Sequence, residues 1–294
     1  MTELVVPRIK LKFKLKLKLK QKIYVNTGIT RNHNQEWLHI LRYFAKHPEN
    51  KTEEVSGPPV FPCIISTKCI KACRDSWKGA ASQFEPRILA KIDSLDEIPD
   101  VFQFYGINLI SSTNATYLLT RAKIYHELEY KDHPLIKIPN CQESLLLSLG
   151  DSETSSIDKL RYSGLFETAT YLNEPIIYGS LLGGRHRCSF DTHLQDVAIS
   201  IKGVQFETDG CYESEHKCLL IEAKSKDVKS FNIRQLYFPY RTIYDHMKGK
   251  KDILSLFITE NKKTGVFHIW KFIFENPLVM SSLKCIGYNK YNFV

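Results

Sequence analysis

Apolar residues recur at helical spacing in "NQEWLHILRYFAKH", where Trp37, Leu38, Leu41, Phe44 and Ala45 share one face. "EEVSGPPVFP" then breaks the chain with three prolines and a glycine. "CIISTKCIKACRDSWKG" predicts a short strand running into a helix, and the stretch that follows mixes strand-like and helical pieces around the turn "SSTNAT". The pattern up to residue 150 is α+β. "SLGDSETSSIDK" has no apolar residue between Leu149 and Ile157 and predicts a linker.

Beyond the linker the pattern is more regular. "SIDKLRYSGLFETATYL" predicts a helix capped by Ser155 or Ser156. "VAISI", "VQFETD" and "KCLLIEAK" predict three strands; Gly203 would turn the first into the second, and "GCYESEH" would link the second to the third. "SFNIRQLYFPYRTIYDHM" predicts a helix interrupted or tightened by Pro239. "DILSLFITE" and "GVFHIWKFIF" predict two further strands joined by "NKKT". The order is helix, three strands, helix, two strands, which implies an α/β core (α+β overall) with a mixed central sheet flanked by helices. Three parts are expected: a tail over 1–22, an α+β region over 23–150 and a core domain over 151–294.

Charge appears where a buried strand should avoid it. Side chains alternate along a strand, so Leu220, Glu222 and Lys224 share one face of "CLLIEAK", while Glu207 and Asp209 share a face of "VQFETD". If the two strands are neighbours, Asp209 lies beside Glu222 and Lys224. Two carboxylates ~4 Å apart repel by roughly 4 kcal/mol at an effective dielectric near 20. A divalent cation removes that repulsion, and hard oxygen ligands suit Mg²⁺, which retains sites for water and phosphate. Lys224 then stands where it can orient a metal-bound water or help take its proton. A phosphodiester is the substrate such a group fits.

Asp209, a gap, and Glu222-Ala223-Lys224 resemble the signature of the PD-(D/E)XK nuclease superfamily, with Thr208 in place of the name-giving proline. The resemblance implies a restriction-endonuclease-like core of helix, three strands, helix and strand. It also implies that Asp209 and Glu222 bind Mg²⁺, that Lys224 supports the nucleophilic water, and that Gln235 in "FNIRQLYFPYR" stands near the active site. It extends, less specifically, to an additional acidic ligand on the helix before the sheet, Glu167, with Glu174 as the alternative. Through "SQFEPRILAKIDS" and "EAKSKDVKSFNIRQLYFPYR" the chain is most similar to type II restriction endonucleases. That implies double-stranded DNA as substrate, a homodimer on a near-palindromic site, a first region that helps recognise DNA, and a cognate DNA methyltransferase as companion activity. Arg185 and Arg187 in the Gly-rich "GGRHRCSF", with Arg234 and Arg241 on the following helix, are the candidate DNA contacts. Two other readings stay open: a repair or structure-specific nuclease on the same core, and a catalytically dead DNA-binding protein.

Composition alters this picture little. The 294 residues are 43% hydrophobic and 25% charged, as in an ordinary globular protein. Of the net charge of +9, the tail supplies +7, from Arg8 and seven lysines against Glu3, so the body is nearly balanced. Lysine alternates with leucine along much of this tail, which suits an anionic surface or, more plainly, a low-complexity extension that adds solubility. No apolar run is long enough to cross a bilayer and the N-terminus does not resemble a secretory signal, so a cytoplasmic protein is expected. The eight cysteines then read as reduced thiols. The spacing of Cys63, Cys69 and Cys73 matches no common zinc pattern.

Overall fold

Both faces of "KCLLIEAK" are covered, and this one strand organises the core. The computed structural model describes residues 33–47, 61–77, 85–139, 150 and 152–294, and these form a mixed α+β fold with six α-helices among the described residues. The Lys-Leu tail and Cys141 lie outside the described residues. Helices α1 (Asn34–Lys46) and α2 (Thr67–Ser76), the latter following strand β1 (Cys63–Ser66), match the expected pattern. They pack with β2 (Asn108–Thr113) and β3 (Thr116–Thr120) around Trp37, Leu41, Ile70, Leu109 and Leu119. Cys69 and Cys73 belong to this apolar core. Burial, with Cys69 close by, pushes the Cys73 thiol up to about 12, as for a protonated core cysteine.

Short helices α3 (Pro86–Leu89) and α4 (Asp100–Tyr105), strands β4 (Tyr125–Glu127) and β5 (Leu135–Ile138), and helix α5 (Glu153–Tyr162) follow. Helix α5 starts inside the expected linker. Its N-cap is Ser152, not Ser155 or Ser156: the Ser152 hydroxyl accepts from Ser155 N at 3.1 Å. Then come β6 (Tyr178–Gly179), β7 (His186–Leu194), β8 (Val197–Phe206), β9 (Gly210–Glu213), β10 (Lys217–Lys224), β11 (Ser230–Asn232), α6 (Arg234–Met247), β12 (Asp252–Asn261), β13 (Val266–Phe274) and β14 (Leu283–Phe293).

The three-strand expectation needs correction here. "VAISI" and "VQF" are one continuous strand, β8. Gly203 does not turn the chain; at φ +64° it occupies a bulge opposite Cys188 and Ser189. The reversal comes at Gln195 and Asp196, between β8 and β7, the latter a strand formed by much of the supposed Gly-rich loop. The hairpin belongs to a five-stranded sheet, β1-β3-β2-β8-β7. The partner of β10 is instead β9, from the segment expected as a link. The seven-stranded sheet runs β5-β14-β13-β12-β10-β9-β6, with β10 parallel to β12 and antiparallel to β9. Strands from both sides of residue 150 share each of these sheets, and β4 pairs with β11.

Helix α5 covers one face of the seven-stranded sheet through Ile157 and Leu160 against Leu219, Ile221 and Ile258. Helix α6 covers the other through Leu236 and Tyr237, near Leu220, Phe257 and Phe272. Burying each such large apolar side chain contributes about 1.5–3 kcal/mol. Pro239 lies inside α6 without ending it. The five-stranded sheet packs on the outside of α6, where Phe190 meets Phe238 edge-on at 5.6 Å.

Candidate active site

Strand β9 begins at Gly210, opposite Ile221, so the last residues of β10 outrun their neighbour on that side. Asp209 precedes β9 and uses its side chain where a strand would have continued: its Oδ2 accepts from Ala223 N at 2.8 Å. The acid is thus in the β8–β9 connection rather than on a strand paired with β10, yet it reaches the expected place.

Glu222 points to the α6 side and is only 8% exposed. Its Oε1 accepts from Lys224 Nζ and from Gln235 Nε2, each at 2.6 Å. Gln235 stands in the first turn of α6, and its own Oε1 is buried without a hydrogen-bond partner. Glu153, in the first turn of α5, lies 3.9 Å from Lys224 Nζ. Burial pushes the Glu222 carboxyl up to about 7; the Lys224 ammonium opposes this, while Asp209 and Asp93 add to it. Burial would lower Lys224, but the adjoining Glu222, then Glu153 and Asp209, outweigh it and move its pKa up. Lys224 is therefore a firm cation at neutral pH.

Three carboxyl groups face one ammonium, at the carboxyl ends of two parallel strands. This surplus of negative charge, with an orphaned amide oxygen beside it, suits a bound cation. Among the described residues, no group of three or more His, Cys, Asp or Glu side chains is arranged to hold a metal. Two carboxylates, Asp209 and Glu222, would leave a bound ion most of its water, which is the habit of Mg²⁺.

The family described as "Domain of unknown function (DUF6997)" matches residues 120–292, more than half of the chain. The chain belongs to the DUF6997 family. No curated protein and no solved structure matches it. The DUF6997 region contains Glu153, Asp209, Glu222, Lys224 and Gln235, whereas Asp93 lies upstream of it.

Other expected site residues are not brought to the cluster. Glu167 is exposed and accepts from Ile176 N at 2.8 Å. Glu174 accepts from Ser214 and His216. The loop between them is tied to the start of β10, where Lys217 Nζ donates to Leu172 O, about 20 Å along the strand from Lys224. Glu153, in the first turn of α5, is the acid that lies near Lys224 instead of Glu167. Its signal is present in "SETSS", since Ser followed by an acid is an N-terminal helix pattern.

Of the four arginines, Arg241 is buried and Arg234 half-buried. Arg241 is 9% exposed; Nε donates to Asp245 at 2.8 Å, Nη1 donates to Asp191 O at 3.0 Å, and the guanidinium lies 5.5 Å from the Phe190 ring centroid. It joins α6 to the five-stranded sheet and is buried there, not exposed as a DNA contact would require. Arg234 donates from Nη2 to Asp93 at 2.7 Å. Arg185 is exposed and pairs with Glu207 at 3.0 Å, and Arg187 is exposed on β7. The Glu207 pair is solvated, a contact worth about 0–1 kcal/mol, which separates this acid from Asp209.

Proposed function

We propose that the protein is a Mg²⁺-dependent, sequence-specific endonuclease that hydrolyses phosphodiester bonds in double-stranded DNA. The observation that carries this reading is the convergence of Asp209, Glu222, Lys224 and Gln235 at one sheet end, with Glu222 buried and the half-buried Asp209 and Glu153 beside it. The chain order α5, β6, β9, β10, α6, β12, with the β7–β8 hairpin inserted, supports a restriction-endonuclease-like core.

Asp209 and Glu222 would hold the ion. When bound, Mg²⁺ supplies countercharge to the scissile phosphate and lowers the pKa of an attacking water. Lys224, being protonated, orients that water or a phosphate oxygen by donating a hydrogen bond and does not act as the base. Gln235 restrains Glu222 by donating to one carboxylate oxygen, and Glu153 keeps Lys224 in place. Exposed Arg185 and Arg187 are the DNA contacts retained in this reading. Cleavage of both strands requires two sites, hence a homodimer on a near-palindromic sequence, with a methyltransferase protecting host DNA.

Purified protein incubated with unmethylated phage DNA and Mg²⁺ tests the proposal, with EDTA and Glu222→Ala as controls. Discrete fragments that vanish in both controls support it. A smear with the same controls replaces it with a repair or structure-specific nuclease, and DNA binding without cleavage replaces it with a dead-core binder.

A further inference from the structure

We infer that Asp93 and Arg234 form a positioning clamp by which the first region of the chain holds Gln235 on Glu222. The inference rests on the nuclease reading of that site. Asp93 and Arg234 stand 141 residues apart in sequence, yet Arg234 Nη2 donates to Asp93 Oδ1 at 2.7 Å, with both side chains largely withdrawn from solvent. Arg234 and Gln235 are the first two residues of α6. Whatever sets the first therefore sets the second.

The surrounding segment is built for this contact. Asn232 N donates to Asp93 O at 2.8 Å, and Asn232 Nδ2 donates to Ile92 O at 3.3 Å. Leu95 N donates to Ser230 Oγ at 2.8 Å. Asn232 Oδ1 in turn accepts from Arg234 N at 3.1 Å. Ser230 and Asn232 are each 1% exposed, so these bonds are shielded from water. Residues 92–95 thus lie along β11 up to the start of α6, and Asp93 is close enough for its charge to bear on Glu222.

The first turn of a helix lacks intrahelical acceptors for its N–H groups and is the part most easily displaced. In α6 that turn is held less than usual, because Pro239 has no N–H to offer the Gln235 carbonyl. The tie from Asp93 compensates. It also makes the site composite: the family match begins at residue 120, and the clamp's acid comes from before it.

The test uses the full-length chain with Asp93→Asn, Arg234→Met and the swap Asp93→Arg with Arg234→Asp. Three quantities are read: single-turnover cleavage in Mg²⁺, DNA affinity in Ca²⁺, and hydrogen exchange of the peptide spanning the start of α6. Each single variant should cut roughly 10- to 100-fold more slowly, the size expected for a misplaced site group. DNA affinity should hold, exchange should rise selectively at the start of α6, and the swap should recover both rate and protection. Cleavage at the wild-type rate, unchanged exchange, or exchange rising throughout the protein would overturn the clamp. If the wild-type chain itself cuts no DNA, the nuclease reading falls, and exchange in the variants still decides whether Asp93 holds this turn.

Discussion

Glu222→Gln should make the protein more stable at pH 8 than the wild type, although it removes the residue on which activity is proposed to depend. The Glu222 carboxyl is pushed from an ordinary 4.5 up to about 7, chiefly by burial. Below pH 4.5 the folded and unfolded chains both carry this proton. Between 4.5 and 7 the unfolded chain releases it while the folded chain retains it, so stability is lost as pH rises through that window. The shift corresponds to about 3 kcal/mol, at roughly 1.36 kcal/mol per pH unit. Glutamine keeps the hydrogen-bonding shape and cannot ionise. Urea unfolding of both proteins in EDTA, at intervals from about pH 4.5 to 8, gives the variant-minus-wild-type difference, in which titrating groups remote from Glu222 cancel. That difference should move in the variant's favour by about 3 kcal/mol across the window. Excess Mg²⁺ at pH 8 should then stabilise the wild type and leave the variant unmoved. A flat difference, or one moving against the variant, would show that the 2.6 Å contact with Lys224 outweighs burial and would refute the reasoning.

Four other outcomes are expected. Lys224→Met should lower cleavage by about 10²–10³-fold while DNA is still bound in Ca²⁺, as gel shift and single-turnover assays would record. Arg241→Met should cost about 1–3 kcal/mol in urea unfolding, through its bonds to Asp191 and Asp245, and leave DNA affinity unchanged. Glu260→Ala should cost about 3–5 kcal/mol, because Glu260 is 4% exposed and accepts from Ser156, Lys159 and Lys262, whose two ammonium groups would lose their buried partner. Ser152→Ala should cost about 1 kcal/mol of stability by removing the α5 cap, and slow cleavage further by loosening Glu153, an effect that Ser152→Asp should spare.

Local pattern was enough for what depends on local geometry. Alternation along "CLLIEAK" put Glu222 and Lys224 on one face, because the strand period follows from backbone stereochemistry alone; Gln235 came from the family resemblance, and the helix expected from Ser230 starts only at Arg234, after the short strand β11. Which partners those residues meet depends on the path of the chain. Glu153 and Glu167 flank the same helix, and only the packing of α5 along β10 brings one of them to Lys224 and carries the other to the far end. Arg241 and Arg187 are equally basic in sequence; the five-stranded sheet covers the first and exposes the second. The segment at 210–213 is too short to register as a strand until β6 and β10 pair with it on both sides. Asp93 carries no local mark at all, since its meaning comes from an arginine 141 residues away. Periodicity could name the acids and the lysine and suggest a cation between them, but which of them is buried, and what each hydrogen-bonds, was decided only when the tertiary structure set them against one another.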